Sequence, residues 1–267
     1  MYFRGRVVTG KVWLVTGGGG DIGRATALEV ARRGGTVLVT DIDQRAGKET
    51  VRVVVEAGGT ATFHAADLKK SEDVRALVDE TMRRYGRIDV LHNNAGVHET
   101  DLTSETTVEG LPEDVWDSVL EINVKAPWMA SKAVVQHMRR QGGGAIVNAS
   151  SSGGLVGYPM GAAYCSSKGA VIQLTKVMAA EWARDNVRVN CYCPAAIDTR
   201  MVRRYLDAAI DRAAVERTLV GSHLIKRLGR PEEVARLVCF LASDDASFIT
   251  GSAYVIDGGS LAWRGVD

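Results

Sequence analysis

Short apolar runs rich in β-branched residues recur along this chain at Val12–Thr16, Thr36–Thr40, Ala61–His64, Ile88–His92, Ala145–Asn148, Val187–Cys191 and Tyr254–Ile256. Longer segments with helical spacing separate them, and this alternation constrains the fold more than any other feature. A strand that is apolar throughout must be covered on both faces, and strands of that kind joined by helices form a parallel sheet. The intervening segments supply the covers. Val74, Leu77, Val78, Met82 and Tyr85 share one helical face, and Val171, Leu174, Met178 and Trp182 share another. No linker breaks the pattern. It predicts a single α/β domain over residues 1–267, a doubly wound parallel sheet of about seven strands with helices on both faces. Ligands of such sheets bind beyond the carboxyl ends of the strands.

Composition serves mainly to exclude. Lysine plus arginine number 33 against 32 acids, so net charge offers no pull toward nucleic acid or a membrane surface. Arg4 and Arg6 precede apolar residues, but the run Val12–Val15 is too short for the core of a signal peptide. The longest charge-free stretch, Gln141–Ser167, is broken by glycines and serines and does not read as a membrane span. The four cysteines have no framework spacing, and Cys191 and Cys193 are expected to point to opposite faces of a strand, sharing neither a disulfide nor a metal. A reduced, cytoplasmic setting is the simplest expectation. His64, His92, His98, His137 and His223 lack ligand spacing, so no metal is expected; His64 and His92 read as structural strand ends.

Two stretches carry chemistry. Thr16-Gly17-Gly18-Gly19-Gly20-Asp21-Ile22-Gly23 leaves a strand and opens a helix. Glycines there allow a tight turn and let backbone amides approach a diphosphate at the positive end of the helix. Asp41 ends the second strand, eighteen residues after Gly23. A carboxylate at that point accepts both ribose hydroxyls and repels a 2′-phosphate, so NAD is expected over NADP, although Arg45 stands nearby. The second stretch holds Tyr164 and Lys168, four residues apart and therefore on one helical face, with Ser151 thirteen residues earlier. An ammonium beside a phenol favours the phenolate and is expected to lower its pKa, giving a proton donor and acceptor near neutral pH.

Taken together, these motifs resemble the short-chain dehydrogenase/reductase family over nearly the whole chain. The family's Thr-Gly-x-x-x-Gly-x-Gly falls on Thr16–Gly23, with Asp21 in place of the middle glycine. A carboxylate there is unfavourable beside a diphosphate unless it points away or caps the helix. Further matches are Asp67-Leu68, which in the family edge the adenine, and Asn93-Asn94-Ala95-Gly96 after the fourth strand. The segment Pro194–Thr199 resembles the one that holds the nicotinamide carboxamide, with Ala195 replacing glycine, and Ile256-Asp257-Gly258-Gly259 resembles the family's C-terminal ending.

The resemblance implies a Rossmann fold and a catalytic tetrad of Asn123, Ser151, Tyr164 and Lys168. Among the adjacent Ser150, Ser151 and Ser152, the family pattern selects Ser151. It also implies that Tyr164 exchanges a proton with the substrate oxygen and that Ser151 hydrogen-bonds that oxygen. Lys168 binds the nicotinamide ribose, and Asn123 holds a relay water. The implied NAD site comprises Gly17, Gly20, Asp21, Ile22, Gly23, Asp41, Asp67, Leu68, Asn94, Ala95, Gly96, Tyr164, Lys168, Ile197 and Thr199. A lid around residues 200–230 would close over the substrate.

The expected activity is therefore an NAD-dependent oxidoreductase acting on a secondary alcohol or ketone. Val156, Tyr158 and Met160 suggest an apolar pocket wall suited to a ring or alkyl body. The alternatives are a beta-ketoacyl carrier-protein reductase using NADPH and a non-catalytic dinucleotide-binding regulator; an epimerase sharing Tyr-x-x-x-Lys fits less well. Arg139-Arg140 and Arg203-Arg204 read as solvated faces rather than a rim for an acyl carrier. By resemblance the protein is a homotetramer assembled through the segments Asn123–Arg140 and Tyr164–Arg184 and the C-terminal segment, where Trp128, Met129, Trp182 and Trp263 suit an interface.

Overall fold

The computed structural model describes residues 8–207 and 211–263. Arg4, Arg6 and positions 208–210 of the expected lid lie outside the described residues. The strands are β1 (Val12–Thr16), β2 (Thr36–Asp41), β3 (Thr60–Ala65), β4 (Val90–Asn93), β5 (Gly144–Ala149), β6 (Val187–Pro194) and β7 (Ala253–Ile256). They form one parallel sheet in the order β3-β2-β1-β4-β5-β6-β7. The direction of winding changes between β1 and β4, which opens a crevice at their carboxyl ends. The expected fold is the observed one.

Among the described residues the α-helices are α1 (Asp21–Arg32), α2 (Gln44–Glu56), α3 (Ser71–Tyr85), α4 (Glu113–Leu120), α5 (Ala126–Arg140), α6 (Ala162–Trp182), α7 (Arg200–Asp207), α8 (Arg212–Gly221) and α9 (Pro231–Leu241), of which α1, α2, α3, α5, α6 and α9 pack on the sheet. Alternation along β1 shows why both faces need covering. Trp13 and Val15 pack with Val30 of α1, Val54 of α2 and Val238 of α9. Leu14, between them, packs on the other side with Leu77 of α3, Val134 of α5 and Met178 of α6. Leu14 is fully buried. Leu14→Ala is therefore expected to cost about 2–5 kcal/mol of stability in urea unfolding; a loss below about 1 kcal/mol would mean that the central strand tolerates a void.

Two local expectations need correction. β4 starts at Val90 rather than Ile88, because Ile88 bonds the Gln141 side chain through both its N–H and its carbonyl, and the Asp89 carboxylate accepts Val12 N–H at 2.8 Å. Cys191 and Cys193 share one face of β6 instead of pointing apart, since side chains on a strand alternate with a period of two. Both are buried free thiols packed with Ile172.

Candidate active site

A cavity of about 890 Å³ lies at the carboxyl ends of the central strands. One wall is the turn from β1 into α1. Gly17 adopts φ +60°, and a side chain there would come within 2.8 Å of the Ala95 backbone, so only glycine fits. The turn is held from β4: Asn94 Nδ2 donates to Thr16 O and Gly17 O, and Thr16 Oγ1 accepts from the amides of Asn94 and Ala95. Behind Asn94, Tyr192 donates to its Oδ1 at 3.3 Å and meets His92 Nε2 at 3.1 Å. Gly20 precedes α1 without a side-chain cap, so the amides of the helix's first turn have no partner within the helix. Asp41 sits opposite, its two oxygens accepting Gly19 N–H and Asp43 N–H at 2.9 Å each.

The cavity brings together most of the residues singled out from sequence. Gly17, Gly20, Asp21, Ile22, Asp41, Asp67, Leu68, Asn94, Ala95, Gly96, Tyr164, Lys168 and Thr199 all line it. Gly23, Ile197, Asn123 and Ser151 do not. Gly23 is buried against the glycine turn, where any side chain would strike backbone, so its place is in helix–strand packing. Ile197 is buried and bridges Gly229. Ala195 takes the place of a glycine at no backbone cost, since its φ is not positive.

At the far end of the cavity α6 presents Tyr164 and Lys168. The Lys168 Nζ lies 5.5 Å from the Tyr164 ring centroid and donates to Ala149 O at 2.9 Å. Ser151 lies beside the Tyr164 side chain and favours its charged form; its Oγ accepts Gly153 N–H at 3.1 Å. Ser150 instead donates to Lys168 O at 2.8 Å. Asn123 is buried in a π-helical turn, Glu121–Lys125, between α4 and α5. Its oxygen accepts Val97 N–H, and its amide donates to Val97 O and Ser167 Oγ. Such turns interrupt the regular ladder and recur at functional sites.

Burial reverses the expected direction of the tyrosine shift. Tyr164 is pushed up to about 12 by enclosure, which outweighs the opposing influence of Ser151. Lys168, almost wholly enclosed, is pulled down to about 8 by the same cause. An ammonium more than 5 Å from the ring centroid therefore does not overcome desolvation. At neutral pH the hydroxyl carries its proton.

Known proteins bear out the resemblance. The family model described as enoyl-(acyl carrier protein) reductase matches residues 19–260. Cyclohexanol dehydrogenase of Acinetobacter sp. (strain SE19) is 39% identical over 93% of this chain and 94% of its own length. A 3-oxoacyl-[acyl-carrier-protein] reductase of Thermotoga maritima is 37% identical over 94% of this chain and 97% of its own. A crystal structure of a short-chain dehydrogenase/reductase from Burkholderia xenovorans superposes with a TM-score of 0.92 at 35% identity, covering 97% and 99% of the two chains.

The chain belongs to the short-chain dehydrogenase/reductase family. It is an oxidoreductase of that family, whose members bind a nicotinamide dinucleotide. The residues present fit such a cofactor: an uncapped helix start, a glycine turn closed by Ala95 at a distance that excludes side chains, and a carboxylate across from it. No described helix of this short-chain dehydrogenase/reductase is long and apolar enough to cross a membrane.

One site residue has no sequence signal. Glu99, fully buried in the connection after β4, accepts Ala163 N–H at 3.0 Å and Tyr164 N–H at 3.1 Å. It holds the first turn of α6, which carries the tyrosine. His98 beside it packs against the Tyr164 ring at 4.7 Å and meets Tyr158 Oη at 3.3 Å. Only an acid and a histidine in a polar connection could have drawn attention to them; both partners lie more than fifty residues away.

Proposed function

We propose that the protein is an NAD-dependent dehydrogenase that moves hydride between a secondary alcohol and the nicotinamide, or in reverse reduces the ketone. The observation that carries this reading is Tyr164 beside Lys168 at one end of a cavity whose other end is the Asp41 turn, with Ser151 next to the tyrosine. Bound there, the cofactor supplies the hydride acceptor. Tyr164 takes the proton from the alcohol oxygen or returns it to the ketone. Ser151 donates a hydrogen bond to that oxygen as its charge develops. Lys168 offsets the phenolate charge and is assigned the nicotinamide ribose. Because the side-chain oxygen and both N–H groups of Asn123 are engaged by Val97 and Ser167, we assign the relay water to the main chain of its π-helical turn. Asp41 selects NAD, since among the described residues no cationic side chain bonds it and the adjoining Ile42 is exposed and uncharged.

Substrates are secondary alcohols on an apolar body, with rings favoured. Val156, Tyr158 and Met160 stand exposed on the loop between Ser151 and α6, and the similar Acinetobacter protein is a cyclohexanol dehydrogenase. Reduction of NAD in the presence of cyclic and linear secondary alcohols, followed by absorbance and run in parallel with NADP, tests the reading. Turnover with NAD on a cyclic alcohol supports it; silence with every alcohol and both cofactors would overturn it. A beta-ketoacyl carrier-protein reductase is the second reading, favoured by the Thermotoga relative and the family model's description. Against it, three of the four arginines considered for a carrier-binding rim are paired with acids: Arg139 with Asp185, Arg203 with Asp198 and Arg204 with Asp101. Preference for NADPH and a ketoacyl thioester would establish it.

The tyrosine's elevation gives a pH prediction. Alcohol oxidation needs the phenolate, whose fraction rises about tenfold per pH unit below a pKa near 12. Oxidation should therefore climb steeply from neutral pH and flatten above about 8, where Lys168 loses its proton and its support. Ketone reduction, which uses the protonated form, should not rise. Flat oxidation between neutrality and about pH 8 would mean that another group takes the proton. The assembly we propose is a homotetramer, checked by light scattering. Trp128, exposed on α5, remains available to an interface, whereas Trp182 and Met129 are used by the core.

A further inference from the structure

Asp21 stands where the family pattern has glycine, at the first position of α1 and on the wall of the cavity. An acid there shares its surroundings with the helix amides that would receive a diphosphate, and two anions at such range repel. Its contacts show how the fold accommodates it. Asp21 Oδ2 accepts the backbone N–H of Arg200 at 2.6 Å, and the Arg200 Nε lies 3.8 Å from the same oxygen. The other end of that guanidinium reaches past the acid, Nη2 donating to Gly19 O at 2.5 Å. Three contacts thus join the start of α7, the helix over the cavity, to the glycine turn.

Three other arginines nearby are engaged elsewhere. Arg203 pairs with Asp198 and Arg204 with Asp101, and Arg24 on α1 donates to Thr50 Oγ1. Arg200 reaches both: its backbone N–H bonds the acid, and its guanidinium bonds the turn and lies within ion-pair distance of the acid.

We propose that Arg200 is a cofactor-affinity residue required by the presence of Asp21: it neutralises the acid beside the diphosphate site and, being on α7, links the lid to that site. The proposal rests on the dinucleotide reading of the cavity. It differs from direct recognition of the diphosphate by arginine in one measurable respect. If Arg200 acts by neutralising Asp21, its value disappears once Asp21 is gone. The pair is about a quarter exposed at Asp21 and about half exposed at Arg200, so removing it should leave the core intact.

The test is a binding cycle read without turnover. NADH binding to the purified full-length protein is followed by nicotinamide fluorescence in the wild type, Arg200→Gln, Asp21→Gly and the double variant, with thermal unfolding of each as a fold check. Arg200→Gln should weaken NADH binding about tenfold or more, while in the Asp21→Gly background the same change should alter it less than about threefold. Arg200→Lys keeps the charge and should hold most of the affinity; a loss as large as that of glutamine would replace charge with packing and overturn the proposal. So would an equal loss from Arg200→Gln in both backgrounds, or no loss at all. A wild type that binds neither NADH nor NADPH would instead defeat the underlying dinucleotide reading, which keeps the two failures distinct. Raising ionic strength should shrink the Arg200→Gln effect, since the pair is partly exposed.

Discussion

Replacing Tyr164 by phenylalanine is expected to lower turnover by about 10²–10⁴-fold while leaving NADH affinity within about twofold of wild type. The two halves of this expectation come from different contacts. The hydroxyl is the only group removed, and the side chain beside it is Ser151, not the glycine turn or Asp41. The ring that remains keeps its contact with His98 and stays over Lys168, and the α6 backbone stays on Glu99. Nothing that shapes the cofactor end of the cavity changes. Steady-state rates on the best alcohol, paired with NADH fluorescence titration, check both halves. A variant with a rate near wild type would remove Tyr164 from the proton path. A variant that loses rate and NADH affinity together would show the hydroxyl to be a cofactor contact instead.

What could be read from the chain, and what could not, divides by the reach of the interactions. The seven strands were legible because each is bounded by local composition, and Gly17 because a tight turn constrains its own backbone. Misplacing the start of β4 at Ile88 reflects a competitor from far away, the Gln141 side chain, which takes the backbone bonds a strand would use. The facing error at Cys191 and Cys193 was one of geometry, since strand periodicity alone puts them side by side. The direction of the Tyr164 shift depends on how deeply α6 is enclosed, and enclosure is a tertiary property that spacing does not carry. The same holds for Glu99, which reaches the tyrosine's amide across 65 positions, and for Arg200, which reaches the glycine turn across 181. Asp21 looked like damage to a motif for that reason: the partner that makes it tolerable lies at the other end of the fold.

Asp41→Ala should move the ratio of kcat/KM for NAD over NADP about 10–100-fold toward NADP. The carboxylate ends β2 and aims at the glycine turn, where it accepts Gly19 N–H. An anion so placed has lone pairs left for ribose hydroxyls and a charge that opposes a 2′-phosphate, so its removal acts on both cofactors in opposite senses. NAD loses a charge-assisted bond, each of which is worth about 1.5–3 kcal/mol, or roughly tenfold or more in affinity. NADP loses a repulsion. The Gly19 amide also loses its acceptor, which weakens both cofactors alike and cancels in the ratio. For that reason the ratio, and not either rate alone, is the quantity to measure. NADP should gain little in absolute terms, because among the described residues no cationic side chain bonds Asp41. Adding one beside it, as in Asp41→Ala with Ile42→Arg, should then raise NADP use further, since Ile42 is exposed at the cavity edge and its side chain bears on no core contact. An unchanged ratio in Asp41→Ala would mean that the ribose is read elsewhere, and Lys69 on the same cavity wall would be the next residue to replace.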